Sequence, residues 1–105
     1  TLCPIGPGLV TGWDFRNKYL RTYVNGELRQ QESMRHALFK CAEILSYWSQ
    51  RFTFEPGDVL TCGTPAGVGI FSADPKSWLL KPGDVIQASI DGLGVLSNQV
   101  VAGAA

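Results

Sequence analysis

Residues 59–69, with the letters VLTCGTPAGVG, constrain the fold of this chain more than any other stretch. The first four residues favour an extended, buried strand, and a Pro-Gly turn signal precedes them. From Gly63 onward, three glycines surround a Thr-Pro pair. Glycine allows positive φ and a close approach of the backbone to a ligand, and Pro65 favours an extended Thr64. The stretch therefore predicts a short buried strand that runs into a rigid glycine-rich loop.

The predicted loop suits a small anionic ligand. It offers free backbone N–H groups and one hydroxyl, that of Thr64, and these groups match a carboxylate or an enolate oxygen. A tight turn between two strands is an equal alternative. Two other glycine motifs are excluded, because the loop has no Gly-Lys-Ser/Thr ending and lacks the third glycine of a dinucleotide fingerprint.

Length and charge limit the class of protein. The 105 residues allow one domain at most, and nine basic residues balance nine acidic ones. Nothing therefore indicates a nucleic-acid or membrane partner, and no apolar run approaches the ~20 residues of a spanning helix. The odd set Cys3, Cys41 and Cys62 lies in apolar contexts, which predicts buried free thiols in a reducing, cytoplasmic compartment.

Two hairpins are predicted. Asn25-Gly26 joins residues 20–24 to residues 27–30 through a type I′ turn that places Tyr23 opposite Leu28. Residues 91–94 join a second pair of alternating strands at 85–90 and 95–101. A brief strand is also expected at residues 9–11.

One amphipathic helix is predicted between the hairpins. Ser33 is its expected N-cap, and apolar residues recur at helical spacing from Met34 to Trp48, which indicates a core-facing stripe. His36 is expected at the surface, because no neighbouring acid supports a role as a base. Arg21 and Arg29 are expected in solvent.

The sequence Pro-Gly-Asp-Val occurs twice, at residues 56–59 and 82–85. Pro-Gly suits the central positions of a type II turn, and we expect Asp58 and Asp84 to hydrogen-bond the local backbone. Residues 70–79 are expected to form an irregular loop that rims the glycine loop.

The order of these motifs resembles the C-terminal part of the fumarylacetoacetate hydrolase family over residues 3–101. The resemblance is carried by VNGE at 24–27, TCGTPAGVG at 61–69, KPGDV at 81–85 and DGLG at 91–94. It implies an α+β, mostly β fold, a mixed β roll or sandwich with one main helix. Residues 1–105 would then be the C-terminal part of the catalytic domain, and the fold would be incomplete.

The resemblance also implies a function. Family members act on 2-oxo or β-diketo acids through an enolate, by C–C hydrolysis of acylpyruvates, isomerisation or decarboxylation, with Mg²⁺ or Mn²⁺ and usually as dimers. Carried over, Thr64 holds the substrate carboxylate, and Gly63 and Pro65 shape its loop.

The family's Glu-x-Glu metal ligands, a later Asp and a catalytic lysine would lie upstream, and this sequence has no Glu-x-Glu. No catalytic residue or metal ligand is therefore assigned here, and the isolated chain is expected to be inactive. The alternative is a non-catalytic fragment or a dimerisation module.

Overall fold

The fold is organised around one four-stranded antiparallel sheet with the strand order β2-β1-β3-β4. The structure is a computed structural model that describes residues 3–103. The strands are β1 (Tyr19–Val24), β2 (Glu27–Ser33), β3 (Val85–Ile90) and β4 (Gly94–Gln99), and the α-helices are α1 (Cys41–Ser49) and α2 (Pro75–Trp78). Short 3₁₀ turns occupy Met34–His36 and Gly69–Phe71. The predicted class, α+β and mostly β, is confirmed.

The first hairpin forms as predicted. Asn25 and Gly26 both have positive φ, at 52° and 80°, as a type I′ turn requires, and Tyr23 pairs with Leu28. The register then shifts, since Thr22 pairs with Gln30 and leaves Arg29 opposite no residue of β1. Arg29 is therefore the extra residue of a β-bulge, and its backbone is free to serve another segment.

The second hairpin is confirmed, with β4 beginning at Gly94 and ending before Val100. An amide side chain joins it to the first hairpin. Asn25 Nδ2 donates to Asp84 Oδ1 at 2.8 Å, and the N–H of Val85 donates to Asn25 Oδ1 at 2.8 Å. The turn residue of one hairpin thus fixes the start of β3.

Both Pro-Gly-Asp-Val turns have the predicted form. Gly57 and Gly83 have φ of 102° and 100°, and each turn is closed by an N–H of the Asp to the carbonyl three residues earlier. Asp58 Oδ2 accepts from the N–H of Glu55 at 2.9 Å, and Asp84 Oδ2 accepts from the N–H of Lys81 at 2.8 Å. The two carboxylates are turn residues.

The single helix predicted from Ser33 to Trp48 is wrong in its first half. Ser33 does cap a helical turn, accepting from the N–H of Arg35 at 3.4 Å, but that turn is the 3₁₀ turn that ends at His36. The chain then extends, and α1 begins only at Cys41, where Glu43 Oε2 accepts from the N–H of Lys40 at 2.6 Å. Glu43 starts a new helix by satisfying a backbone donor that a continuous helix would have used itself.

Two predicted strands are absent from the described residues. Residues 9–11 and 59–62 have no ladder partner there, and Leu9 and Val59 are 92% and 65% exposed. A strand needs a neighbour to satisfy its backbone, so β-favouring residues alone do not form one. The three thiols are free as predicted, but Cys3 and Cys62 are exposed and not buried.

Much of the apolar surface is exposed to solvent. No hydrophobic side chain within residues 3–103 is shielded on all sides, and the predicted core-facing stripe leaves Leu45 and Trp48 exposed. The radius of gyration is 15.5 Å, whereas about 13 Å is typical of a compact domain of 100 residues. In the part of the chain that is described, no helix is long and apolar enough to cross a membrane.

Candidate functional site

An open groove with a volume of about 650 Å³ lies against the glycine loop. One wall is formed by residues 64–68, and the other by residues 71–74 together with Trp78. The predicted rim of residues 70–79 therefore does face the glycine loop, but it contains a 3₁₀ turn and α2. Thr64 and Pro65 line the groove, whereas Gly63 lies just before it in the chain.

Gln30 of β2 holds the start of the loop. Its Nε2 donates to Thr64 Oγ1 at 2.9 Å and to the carbonyl oxygen of Pro65 at 3.0 Å. These bonds join residues more than 30 positions apart, so they fix the loop against the sheet. Thr64 is therefore not a residue that only closes its own turn.

Gly67 explains why the loop can lie so close to β2. Its φ is +103°, and a Cβ at this position would lie 2.1 Å from the carbonyl oxygen of Arg29 and 2.9 Å from Gln30 Cγ. Only glycine meets both conditions. The carbonyl involved belongs to the bulge residue of β2, so the irregularity in the hairpin and the glycine of the loop fit together.

Gly69 repeats the close approach at the other wall. A Cβ there would lie 2.9 Å from the carbonyl oxygen of Trp78, the last residue of α2. Gly63 differs, because its φ is +97° but a Cβ added to it would have no atom within 4 Å beyond its immediate neighbours in the chain. Gly63 is thus required for its backbone conformation alone, Gly67 for both backbone conformation and packing, and Gly69 for packing.

Arg29 supports the groove from behind, contrary to the expectation that it is solvated. Its guanidinium carbon lies 4.1 Å from the centroid of the Trp78 ring, and its Nη2 lies 3.1 Å from Glu27 Oε2. Its side chain is only 17% exposed. A cation stacked on an indole is an attractive arrangement, so Arg29 helps to position Trp78 in the groove wall.

Arg21 is likewise paired. Its Nη1 lies 2.5 Å from Asp91 Oδ1, and Asp91 Oδ2 accepts from the N–H of Tyr19 at 3.2 Å. The Arg21 hydrogen bond is the main cause of a lowered pKa at Asp91. This pair ties the turn between β3 and β4 to β1 and lies outside the groove lining.

His36 is at the surface as predicted, but the expectation that no acid stands near it was wrong. His36 Nδ1 lies 2.8 Å from Glu32 Oε1. The pKa of Glu32 is lowered, first by the N–H of Ser33 and then by His36. The imidazole is 61% exposed and is not part of the groove. It therefore has no contact with the candidate site.

The donor set does not fit a metal ion. Within residues 3–103 no group of three His, Cys, Asp or Glu residues comes together, and Asp74 is the one acid in the groove lining. Mg²⁺ and Ca²⁺ need several oxygen ligands that converge on one point. No chemical step is therefore assigned to a metal on these residues.

Sequence reasoning predicted Thr64, Gly63 and Pro65 as substrate-binding residues, which stays a prediction, and it assigned no site role to Gln30, Arg29 or Trp78. Simple alternation along β2 would place Gln30 on the same face as Leu28, whereas the bulge pairs them with Thr22 and Tyr23, neighbouring residues of β1 that point to opposite faces. The bulge that sets the final register leaves no clear mark in the sequence. Long-range partners such as Gln30 and Thr64 therefore become visible only in the structure.

The family is decided by comparison with known proteins. A family model described as fumarylacetoacetate (FAA) hydrolase C-terminal matches residues 1–101. The chain belongs to the fumarylacetoacetate hydrolase family. Among curated relatives, the human mitochondrial oxaloacetate tautomerase FAHD2B is 43% identical over 104 residues, which are 96% of this chain and 32% of that protein. The chain thus spans about a third of the length of the relatives that it matches.

Solved structures agree. The fumarylacetoacetate hydrolase of Exiguobacterium antarcticum is 45% identical with a TM-score of 0.86, covering 96% of this chain and 36% of that one. The fumarylpyruvate hydrolase of Pseudomonas aeruginosa, in complex with Mn²⁺ and pyruvate, is 36% identical with a TM-score of 0.70, covering 82% and 33%. Fold and family are therefore supported over most of the chain.

Proposed function

We propose that residues 1–105 form the C-terminal part of a catalytic domain that acts on 2-oxo or β-diketo acids. In this proposal the chain supplies the wall of the active site that holds the substrate carboxylate. The observation that carries it is the position of Thr64, whose hydroxyl is held against a groove in a chain of this family. Because this chain spans about a third of the length of its relatives, the activity of the whole protein is also part of the proposal.

The groove residues suit this task. The Thr64 hydroxyl can donate to a carboxylate, and Pro65, Val68, Phe71 and Trp78 give the walls an apolar character. An apolar wall reduces competition from water, and a hydrogen bond to a charged acceptor contributes roughly 1.5–3 kcal/mol. The chain would thus bind and orient the acid end of the substrate.

The proposed reaction passes through an enolate. The tautomerase and the hydrolases among the relatives differ in the bond that is made or broken, and we include decarboxylation of oxaloacetate-like acids as a third outcome. We propose that the complete enzyme uses Mg²⁺ or Mn²⁺, whose charge would stabilise the enolate. Its ligands would lie outside the described residues, so the isolated chain would be inactive.

The same proposal includes an assembly and a compartment. Exposed apolar residues such as Leu9 and Leu38, and the outer edges of β2 and β4, which pair with no further strand within residues 3–103, would be covered by the rest of the protein or by a second copy. We propose a homodimer or a strand-exchanged oligomer, without a nucleic-acid or membrane partner. A cytoplasmic location stays a prediction, for which cell fractionation is the test.

The complete reading frame that contains this sequence tests the function. We expect it to encode Glu-x-Glu upstream and to turn over oxaloacetate or an acylpyruvate. In that enzyme Thr64→Val should lower kcat/KM about tenfold to a hundredfold, since each 1.36 kcal/mol is a factor of ten. Thr61→Val, outside the groove lining, is the matched control and should stay within about twofold. Turnover of the folded Thr64→Val enzyme at the normal rate would refute the binding role.

The second candidate is a non-catalytic interaction module. The exposed apolar surface favours it, as do the outer edges of β2 and β4, which have no strand partner in the part of the chain that is described. It predicts that the complete product has no oxo-acid turnover and that its reading frame lacks the Glu-x-Glu pair. Sequencing and one activity assay separate the two candidates.

A further inference from the structure

The geometry points to Gln30 as a positioning residue that makes the Thr64 hydroxyl a hydrogen-bond donor toward the groove. This inference rests on the proposed function, because it describes how Thr64 would come to bind a carboxylate. Gln30 itself is outside the groove lining and would not touch the substrate. It would act through Thr64.

The orientation of the Gln30 amide is determined by Pro65. The carbonyl oxygen of Pro65 can only accept, and it lies 3.0 Å from the terminal nitrogen of Gln30. A flipped amide would place an oxygen against that carbonyl, which is repulsive. The NH₂ group must therefore face the loop, and its two protons serve Pro65 O and Thr64 Oγ1.

This arrangement decides what the hydroxyl can do. A threonine hydroxyl has one proton to donate and lone pairs that accept. Since Gln30 already donates to Oγ1, and its NH₂ group cannot accept, the hydroxyl proton must point to some other acceptor. The groove is lined by Thr64, so a substrate carboxylate is an available acceptor. A freely rotating hydroxyl has no such preference.

The sheet holds Gln30 in place. Its backbone pairs with Thr22 next to the bulge, and its side chain runs beneath Gly67, so that a methyl on that glycine would lie 2.9 Å from Gln30 Cγ. The loop and the amide therefore constrain each other. A glutamine held in this way loses little further freedom when substrate binds.

Gln30→Glu tests the inference in the complete enzyme. The substitution keeps the shape and replaces the two donors with acceptors, so the Thr64 hydroxyl would turn toward the new carboxylate. We expect kcat/KM to fall about tenfold to a hundredfold, as for Thr64→Val. The added charge is controlled by Gln31→Glu, whose side chain accepts from Arg21 Nε at 3.1 Å on the neighbouring strand. That control should stay within about threefold.

The double variant separates positioning from a general structural role. If Gln30 acts through the hydroxyl, Gln30→Glu should have almost no further effect on kcat/KM once Thr64 is valine. Its effect on the melting temperature, which includes the bond to Pro65, should persist in that background. Gln30→Met, uncharged and of similar length, provides a second variant in case Gln30→Glu does not fold. It should show the same dependence on Thr64.

The outcomes are distinguishable. Unchanged kcat/KM in Thr64→Val contradicts the proposed carboxylate-binding role and the positioning role with it. A large effect of Thr64→Val with near-normal Gln30→Glu and Gln30→Met enzymes overturns only the role of Gln30. Fully multiplicative effects of the two substitutions also overturn it, because independent residues behave in that way.

Discussion

Gly67 offers the sharpest test of the loop geometry, because its substitution has two separate consequences. Gly67→Ala places a methyl 2.1 Å from the Arg29 carbonyl oxygen, and real contacts of this kind are not shorter than 3.0 Å. Loop and strand must therefore separate by roughly 1 Å. A side chain at a φ of +103° also costs about 1–3 kcal/mol in backbone strain. Overpacking adds about 1–3 kcal/mol.

Substitutions at two other glycines separate the backbone strain from the overpacking. Gly63→Ala has nearly the same φ, +97°, but no overlap, so it should show the strain alone. Gly8→Ala should cause neither the backbone strain nor the overlap, because its φ is not positive and its added methyl meets open space. Its free energy of unfolding should rise by up to about 0.4–1 kcal/mol, because alanine makes the unfolded chain less flexible. The expected order of stability is Gly8→Ala, wild type, Gly63→Ala and last Gly67→Ala, with the last two about 1–3 kcal/mol apart.

Urea unfolding at one fixed protein concentration, followed by circular dichroism, measures the free energy of unfolding. Amide chemical shifts of residues 63–68 should be recorded alongside, because the loop can detach before the sheet unfolds. In that case Gly67→Ala loses less stability but shows large shifts across the loop. A Gly67→Ala protein as stable as Gly63→Ala, with wild-type loop shifts, would refute the close approach to Arg29.

Three further predictions concern the whole chain. Calorimetry of the 105-residue chain should show Mg²⁺ or Mn²⁺ binding no tighter than millimolar, and a micromolar site would require the metal mechanism to be reassigned. Sedimentation should show self-association through the open edges of β2 and β4, which a monomer at high concentration would contradict. The pKa of Asp84 is lowered, first by its hydrogen bond from Asn25 and then by the N–H of Lys81. Its contribution to stability should be present above pH ~4 and be lost as the pH falls through the lower folded pKa, so Asp84→Asn should weaken the acid dependence seen in urea titrations.

The features that could be predicted from sequence are those whose chemistry is local. Asn25 and Gly26 determine a turn by their tolerance of positive φ, and Asp58 and Asp84 find backbone donors only three residues away. The prediction of a single helix is wrong for a similarly local reason, because Glu43 caps a new helix inside the periodic pattern. Glu43 is visible in the sequence as a possible capping residue, but the apolar periodicity continues across it and favours one long helix.

The features that could not be predicted depend on partners far along the chain. Val59 belongs to a stretch that favours a strand, but no neighbouring strand in the described residues pairs with it. Apolar neighbours in the sequence predict burial of Cys62, but burial requires neighbours in space, and the thiol is exposed. Propensity describes what a segment accepts, and pairing depends on which other segments are there.

The candidate site joins these two kinds of feature. The loop's glycines are readable in the sequence, but their use depends on one extra residue in β2. Because Arg29 is bulged, its carbonyl meets Gly67 and its guanidinium reaches Trp78, while the next residue, Gln30, donates to Thr64 and Pro65. Without the extra residue, the side chains of β2 would alternate regularly between the two faces of the sheet, and different atoms would face the loop. The bulge therefore connects the hairpin turn, which the sequence predicts well, to the groove, whose long-range contacts the sequence does not predict.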